Sequence, residues 1–186
     1  MIKMNRKVIF KDLTEVPALA PLILKWRNSP EVRAQMLRQH LISEEEHARW
    51  LETVSKAGAS TFVRVAFWGD RPFGVVNLSD VDRAFSCALW GLYIGEPDLR
   101  GRGLGKALLA HLLFWGFEEL SLYRLYASVL EKNTAAQVLY GKAGFRDEGV
   151  WKGHVLTERG RQDLLWVGMT APEWPRYREK AKNWLL

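Results

Sequence analysis

Residues Leu99–Leu109 read Leu-Arg-Gly-Arg-Gly-Leu-Gly-Lys-Ala-Leu-Leu, directly after an apolar run from Ala88 to Ile94. The apolar run has the length and composition of a strand, and an apolar helical pattern begins inside the glycine segment. Gly101, Gly103 and Gly105 therefore stand in a strand-to-helix turn. Such a turn exposes backbone N–H groups at the positive end of a helix dipole, which makes a site for a phosphate or pyrophosphate. A strand, a phosphate-type turn and a helix in this order commit the chain to an α/β fold.

The 186 residues are expected to form one domain, 1–186, with room for a sizeable core. An apolar content of 48% excludes a largely disordered chain. No apolar run approaches the roughly 20 residues of a membrane span, and Met1–Lys11 lacks the apolar centre of a secretory signal. Cys87 is the only cysteine and no Cys/His cluster occurs, so neither an internal disulfide nor a metal is expected. A cytoplasmic location is expected on the same grounds. The net charge of +6 favours an anionic ligand such as a nucleotide or CoA. The basic residues are scattered rather than striped, which argues against nucleic acid. Nine tryptophans suit core, pocket wall or interface alike.

A first strand is expected over Val8–Leu13 and a helix over Pro17–Asn28, stopped by Asn28-Ser29-Pro30 because proline disfavours helix in the preceding residue. A short helix restarts over Pro30–Leu37. Ser43-Glu44-Glu45-Glu46 reads as a capping box: Ser43 accepts from the Glu46 N–H and the Glu46 side chain reaches back. The helix it opens runs to about Lys56, with His47, Trp50, Leu51 and Val54 on its apolar side. A meander follows: strands over Thr61–Trp68, Phe73–Leu78 and Ser86–Ile94, with a loop at Asp80–Arg83. Next come a helix over Gly103–Leu120, a strand over Arg124–Leu130, and a helix over Asn133–Ala143, capped by Asn133 and stopped by Gly144. Strands over Phe145–Lys152 and Leu164–Met169 and a last helix near Pro172 complete the chain. Antiparallel strands followed by strand–helix alternation describe a mixed central sheet flanked by helices.

Three phosphate-loop patterns compete. A P-loop needs Gly, four residues, then Gly-Lys-Ser/Thr, but Arg100 stands at its first position and Ala107 follows Lys106. A dinucleotide fingerprint needs a third glycine where Lys106 stands. The pattern Arg/Gln-x-x-Gly-x-Gly/Ala is met in full by Arg100, Gly103 and Gly105. Downstream, Asn133, Ala136, Leu139, Tyr140, Ala143, Gly144 and Phe145 form the segment Asn-x-x-Ala-x-x-Leu-Tyr-x-x-x-Gly-Phe. With these two segments in this order the chain resembles the GCN5-related N-acetyltransferase (GNAT) superfamily.

The resemblance implies the acyl-CoA N-acyltransferase fold and acetyl-CoA as cosubstrate, with ternary-complex chemistry and no covalent enzyme intermediate. The pyrophosphate would rest on the N–H groups of Arg100, Gly101, Arg102, Gly103, Leu104, Gly105 and Lys106. The pantetheine arm would pair with the strand before the loop, at Leu92, Tyr93 and Ile94, where Pro97 follows and interrupts ladder pairing. Tyr140 matches the family's general acid. A thiol near pKa 8.5 and a phenol near 10 make that proton transfer uphill by about 2 kcal/mol before environmental tuning. Asn133 serves equally as helix cap and as cofactor contact. Glu118, Glu119 and Glu131 are carboxylate bases by type, but their positions read as solvated. Cys87 reads as a buried structural residue rather than a nucleophile.

The amino-terminal third holds Trp26-Arg27-Asn28, Val32-Arg33, Met36, and Glu46-His47 with Trp50. This arrangement resembles the amino-sugar N-acetyltransferases of pseudaminic acid biosynthesis. It implies transfer to the 4-amino group of a UDP-linked 4-amino-4,6-dideoxy sugar on the route to glycosylated flagellin. Arg27 and Arg33 then meet the diphosphate or orient the acceptor, and Met36 and Trp50 wall the 6-deoxy methyl. His47 is a satisfied core histidine or a group that orders water or takes the amine proton. Asn77 and Trp90 are further candidates for the acceptor side. Protein N-terminal or small-molecule amine acetylation is the alternative within the enzyme class. A non-catalytic binding module is the rival outside it. The expected partner is a small nucleotide-linked molecule, without nucleic acid or membrane, and the enzyme a monomer or homodimer.

Overall fold

A computed structural model describes residues 7–157 and 160–185; residues 1–6 of the segment read for a secretory signal lie outside the described residues. The elements are β1 (Val8–Asp12), α1 (Ala20–Asn28), α2 (Pro30–Arg33), α3 (Glu44–Ser55), β2 (Phe62–Trp68), β3 (Arg71–Asp82), β4 (Cys87–Ile94), α4 (Leu104–Phe114), β5 (Arg124–Leu130), α5 (Thr134–Ala143), β6 (Arg146–Thr157), β7 (Gly160–Thr170) and α6 (Pro175–Lys182). The strands form one mixed sheet in the order β1-β2-β3-β4-β5-β7-β6. Every pairing is antiparallel except β4–β5, which is parallel and is joined through α4. A parallel pair needs a long crossover, and the glycine segment opens it.

Side chains alternate across the sheet, so each strand feeds two cores. Val63, Val65, Phe67 and Val75 pack with Ile23 and Trp26 of α1, joined by Trp50, Leu51 and Val54 of α3. Ala66, Val76, Leu78 and Trp90 face the other way, onto α4 and α5. Leu108, Leu109, Leu112 and Leu113 of α4 are fully buried there. Each contributes about 2 kcal/mol of apolar transfer.

Several boundaries differ from the sequence reading. The helix expected from Pro17 opens with a separate 3-10 turn, Pro17–Leu19, and the one expected to reach Leu37 ends at Arg33. The loop expected at Asp80–Arg83 is partly strand: β3 runs on to Asp82 through an irregularity between Ser79 and Asp82, with Asp80 at φ 50. The long helix ends at Phe114 and widens into a π turn, Trp115–Glu119. Gly116 lies in that turn, where a Cβ would come within 2.7 Å of Leu125. The last two strands are longer than expected and form a hairpin. Pro172 lies in a turn, and α6 begins at Pro175.

Candidate active site

The parallel pairing of β4 with β5 covers only Cys87–Leu89 against Arg124–Tyr126. Beyond it, β4 continues to Ile94, paired among the described residues with β3 alone, and β5 turns to β7. The sheet therefore splits, and residues 90–94 keep a backbone edge open toward the gap. A cleft of about 880 Å³ runs through this split. One arm reaches Arg100, Gly105, Asn133, Leu139 and Tyr140; the other reaches Arg27, His47, Trp50 and Asn77.

The loop that closes the first arm is built by left-handed glycines. Gly101 has φ +73 and Gly103 φ +82, and a Cβ on either would meet nothing within 4 Å. Their glycine identity answers a backbone requirement, not crowding. The Arg100 N–H is bound to the Pro97 carbonyl and the Lys106 N–H to the Gly103 carbonyl. The free N–H set thus narrows from the expected Arg100–Lys106 to Gly101–Gly105, which have no partner among the described residues. The Arg100 side chain donates to the carbonyls of Ile94 (3.2 Å) and Gly95 (3.3 Å), so it fastens the loop to the end of β4. The Arg102 side chain donates to the Asp98 carbonyl at 2.8 Å, and Lys106 lies 5.9 Å from the Trp184 ring. Arg100 and Gly105 line the cleft, while Gly101, Arg102, Gly103, Leu104 and Lys106 stand outside its lining.

Asn133 accepts from the Ala136 N–H at 3.2 Å, capping α5, and also lines the cleft. Tyr140 is only 8% exposed and meets Trp90 edge-on at 4.8 Å. Burial raises its phenol to about 12. Trp90 packs in the core beneath Tyr140 and Phe145 and also contributes to the cleft wall.

The second arm is a scaffold built by the Trp26-Arg27-Asn28 triplet. Trp26 donates to Glu96 at 2.8 Å and lies against Gly95, where a Cβ would come within 2.1 Å of the indole. Glu96 is in turn paired with Arg71, which also holds Asp98 at 2.8 Å. Asn28 clasps both backbone groups of Ile42, donating at 2.8 Å and accepting at 2.9 Å, and so fixes the connection into α3. Arg27 projects into the cleft. One of its nitrogens donates to the Arg38 carbonyl at 3.1 Å; Nη1 is buried without a partner among the described residues. Burial lowers its pKa, while nearby Tyr93 and Glu46 act in the opposite direction.

His47 is 7% exposed. Its Nε2 lies 2.9 Å from the Ala20 carbonyl, which can only accept, so Nε2 carries the proton. The ring stacks on Trp50 at 5.2 Å. Met36, Trp50 and Asn77 line this arm, and Asn77 stands over Gly91, where a Cβ would be 2.8 Å from its Oδ1. Arg33 does not line the cleft; it acts on Arg27 as a neighbouring positive charge. Tyr93 packs with the α1/α3 core rather than with Leu92 and Ile94, so its side chain belongs to the second arm and burial raises its phenol.

The sequence reading gave no role in the cleft to Glu46, Glu31 or Ser128, although Glu46 stood in the quoted acceptor-side segment, and it missed the Gly95-Glu96 clasp. Glu46 carried a signal, its capping box, but that box forms by half. The Glu46 N–H reaches Ser43 Oγ at 3.1 Å, while the carboxylate lies 3.0 Å from His40. Cys87 is half-buried and outside the cleft, not fully buried as expected. Glu118 is held by Trp174 and Arg178, and Glu119 by Arg64. Among the described residues no group of three or more His, Cys, Asp or Glu side chains is placed to hold a metal ion, and no helix is long and apolar enough to cross a membrane.

The sequence profile of the acetyltransferase (GNAT) family matches residues 23–145, from α1 to the end of the Asn133–Phe145 segment. The chain belongs to the acetyltransferase (GNAT) family. This acetyltransferase is 32% identical over 136 residues to acetyltransferase PseH of Campylobacter jejuni strain 81-176, covering 73% of this chain and 82% of the relative. It is 34% identical over 70 residues to the ribosomal protein bS18-alanine N-acetyltransferase of Escherichia coli K12, covering 38% and 47% of the two chains. A spermidine N-acetyltransferase from Vibrio cholerae, solved in complex with CoA and spermine, superposes with a TM-score of 0.83 at 18% identity, over 92% of this chain and 99% of that one. As a GNAT enzyme the chain is an acetyl-CoA-dependent N-acetyltransferase. Its split sheet, with an open β4 edge and free loop N–H groups at one end, fits a long amide-rich thioester ending in phosphates.

Proposed function

We propose that this acetyltransferase acts on the 4-amino group of a UDP-linked 4-amino-4,6-dideoxy sugar, in the pseudaminic acid route to glycosylated flagellin. The observation that carries this is Arg27: a guanidinium in the acceptor arm whose buried Nη1 has no partner among the described residues. Such a group favours an acceptor carrying an anion, as a diphosphate does, and disfavours a polycation. Arg33 adds positive potential behind it, and the 32% relationship to PseH supports the same class of acceptor. Met36 and Trp50 offer an apolar wall to the 6-deoxy methyl, and Asn77 a polar contact beside Gly91. We place the enzyme in the cytoplasm, in keeping with its single thiol, as a monomer or homodimer.

Bound acetyl-CoA supplies an acyl carbon activated as a thioester. Gly101–Gly105 hold its pyrophosphate and Leu92–Ile94 pair with its amides along the open β4 edge. Asn133 contacts the same arm from the start of α5. Tyr140 gives the phenol proton to the departing sulfur as the C–N bond forms and the C–S bond breaks. A phenol near 12 remains protonated at neutral pH, as an acid must. Measured against a solvated thiol the transfer is uphill by about 5 kcal/mol, a gap that shrinks as the same low-polarity cleft raises the thiol. His47 shapes the arm through Ala20 and keeps Nδ1 as its only basic nitrogen; otherwise water takes the amine proton.

Release of free CoA with a panel of amines tests the assignment. Turnover is expected with the UDP-amino sugar and not with spermidine or peptide α-amines. Turnover with peptides alone overturns it in favour of protein N-terminal acetylation, and salt-sensitive nucleic-acid binding without CoA release overturns the enzymatic reading.

A further inference from the structure

We propose that Glu46 is the carboxylate that receives the acceptor's ammonium group in the cleft, and that His40 is the residue that positions it. The proposal rests on acetyl transfer to an amine, not on the identity of the sugar. Its starting point is the half-formed capping box. The Glu46 N–H keeps its bond to Ser43 Oγ, at 3.1 Å, so α3 begins where the sequence sets it. The carboxylate does not return to the Ser43 backbone. Both of its oxygens lie 3.0 Å from His40 Nε2, across the connection between α2 and α3.

A carboxylate has lone pairs for about four donors, and one imidazole nitrogen occupies only part of that capacity. Glu46 also lines the acceptor arm, as His40 does not. The same arm holds Arg27 and Glu31. Glu46 lies close enough to favour Arg27's charged form, yet the side chain that its carboxylate contacts is His40. Arg27 keeps its buried Nη1 open. The arm therefore presents a cation and a carboxylate that have not neutralised each other by direct contact. A molecule carrying both an ammonium group and an anion satisfies the two at once, whereas a polyamine satisfies only the carboxylate.

An aliphatic amine arrives largely protonated at neutral pH. Holding it as ammonium assists capture, but the proton must leave before the nitrogen attacks. The Glu46 contact is made in the ground state and not strengthened in the transition state, so it acts on KM for the acceptor and leaves kcat nearly unchanged. His40 keeps the flexible Glu side chain in the arm rather than folded onto its own helix end. Asparagine can replace the N–H it donates, and alanine cannot.

The test is steady-state kinetics on Glu46→Gln, His40→Asn and His40→Ala. The UDP-linked 4-amino sugar serves as acceptor, and acetyl-CoA affinity is followed by tryptophan fluorescence. Glu46→Gln is expected to raise acceptor KM at least tenfold, with kcat within threefold and acetyl-CoA affinity unchanged. Raising salt from 50 to 500 mM raises acceptor KM in both enzymes, because the Arg27–diphosphate attraction is screened in each, but by a smaller factor in Glu46→Gln, which has lost the carboxylate–ammonium attraction. His40→Ala raises KM in the same way, and His40→Asn largely restores it. An unchanged acceptor KM in a folded Glu46→Gln overturns the proposal, as does a loss confined to kcat. If the parent enzyme ignores the sugar nucleotide but acetylates spermidine or a peptide, the sugar assignment fails, and the same variants measured with that amine decide the role of Glu46.

Discussion

Tyr140 shows what a residue type alone leaves open and what its surroundings add. A tyrosine on a helix is an ordinary core residue; here it sits against Trp90 at the split in the sheet with its phenol raised to about 12. Tyr140→Phe keeps the ring and its packing and removes only the proton. It is expected to lower kcat at least tenfold with acetyl-CoA affinity within twofold, read by single-turnover kinetics and fluorescence titration. Full turnover in that variant removes Tyr140 from the mechanism. The alkaline limb of the rate profile is a second check: loss of the Tyr140 proton sets in only near pH 12, so a fall centred at pH 8–9 must come from another group. His47 is the opposite case. Its helical spacing pointed to the core and the family resemblance to a ligand role, and the Ala20 carbonyl satisfies Nε2 while the ring still faces the cleft.

Among the elements, two glycine sites separate the arms of the cleft. Gly103→Ala places a Cβ at φ +82 with open space around it. The cost is backbone strain of about 1–2 kcal/mol, and the expected effect is weaker acetyl-CoA binding with little change in acceptor KM. Gly95→Ala instead drives a Cβ into the Trp26 indole, which displaces α1 and Arg27. Acceptor KM is expected to rise while acetyl-CoA affinity holds, and equal effects on both substrates would refute this division of labour. The β4 edge offers a third measurement. Amide hydrogen exchange in residues 90–95 is expected to slow on adding acetyl-CoA, because N–H groups facing the gap gain partners. No added protection there would mean that the pantetheine arm does not pair with β4.

At the level of the whole molecule, stability has a pH dependence set far from the cleft. His111 lies flat on Phe10 at 3.6 Å, and Arg64, itself paired with Asp12 and Glu119, approaches its Nε2 at 3.2 Å. Burial, with Arg64 adding to it, lowers the His111 pKa to about 3. The unfolded chain takes up this proton near pH 6.5 and the folded chain does not. The stabilisation is thus complete above pH 6.5 and lost as pH falls toward 3, on the order of 4 kcal/mol. Denaturant midpoints of His111→Phe, which keeps a flat ring on Phe10, should fall less steeply over pH 6.5–4 than those of the parent; parallel slopes would exclude His111 as the source. The sequence by itself determined the strand–turn–helix unit, the Asn133 and Gly144 helix ends, the mixed sheet and the family. The first two rest on local rules of spacing, capping and backbone conformation that neighbouring residues satisfy without distant help; the sheet type followed from the order of the elements, and the family from two motif segments in their order along the chain. Tertiary structure alone decided that Arg100 is a clasp, that Arg33 lies off the cleft, that Tyr93 turns to the acceptor arm, and that Glu46 leaves its own cap for His40. Each of those outcomes depends on partners chosen by packing between distant segments: the end of β4 for Arg100, the α1/α3 core for Tyr93, and a loop clasped by Asn28 for His40.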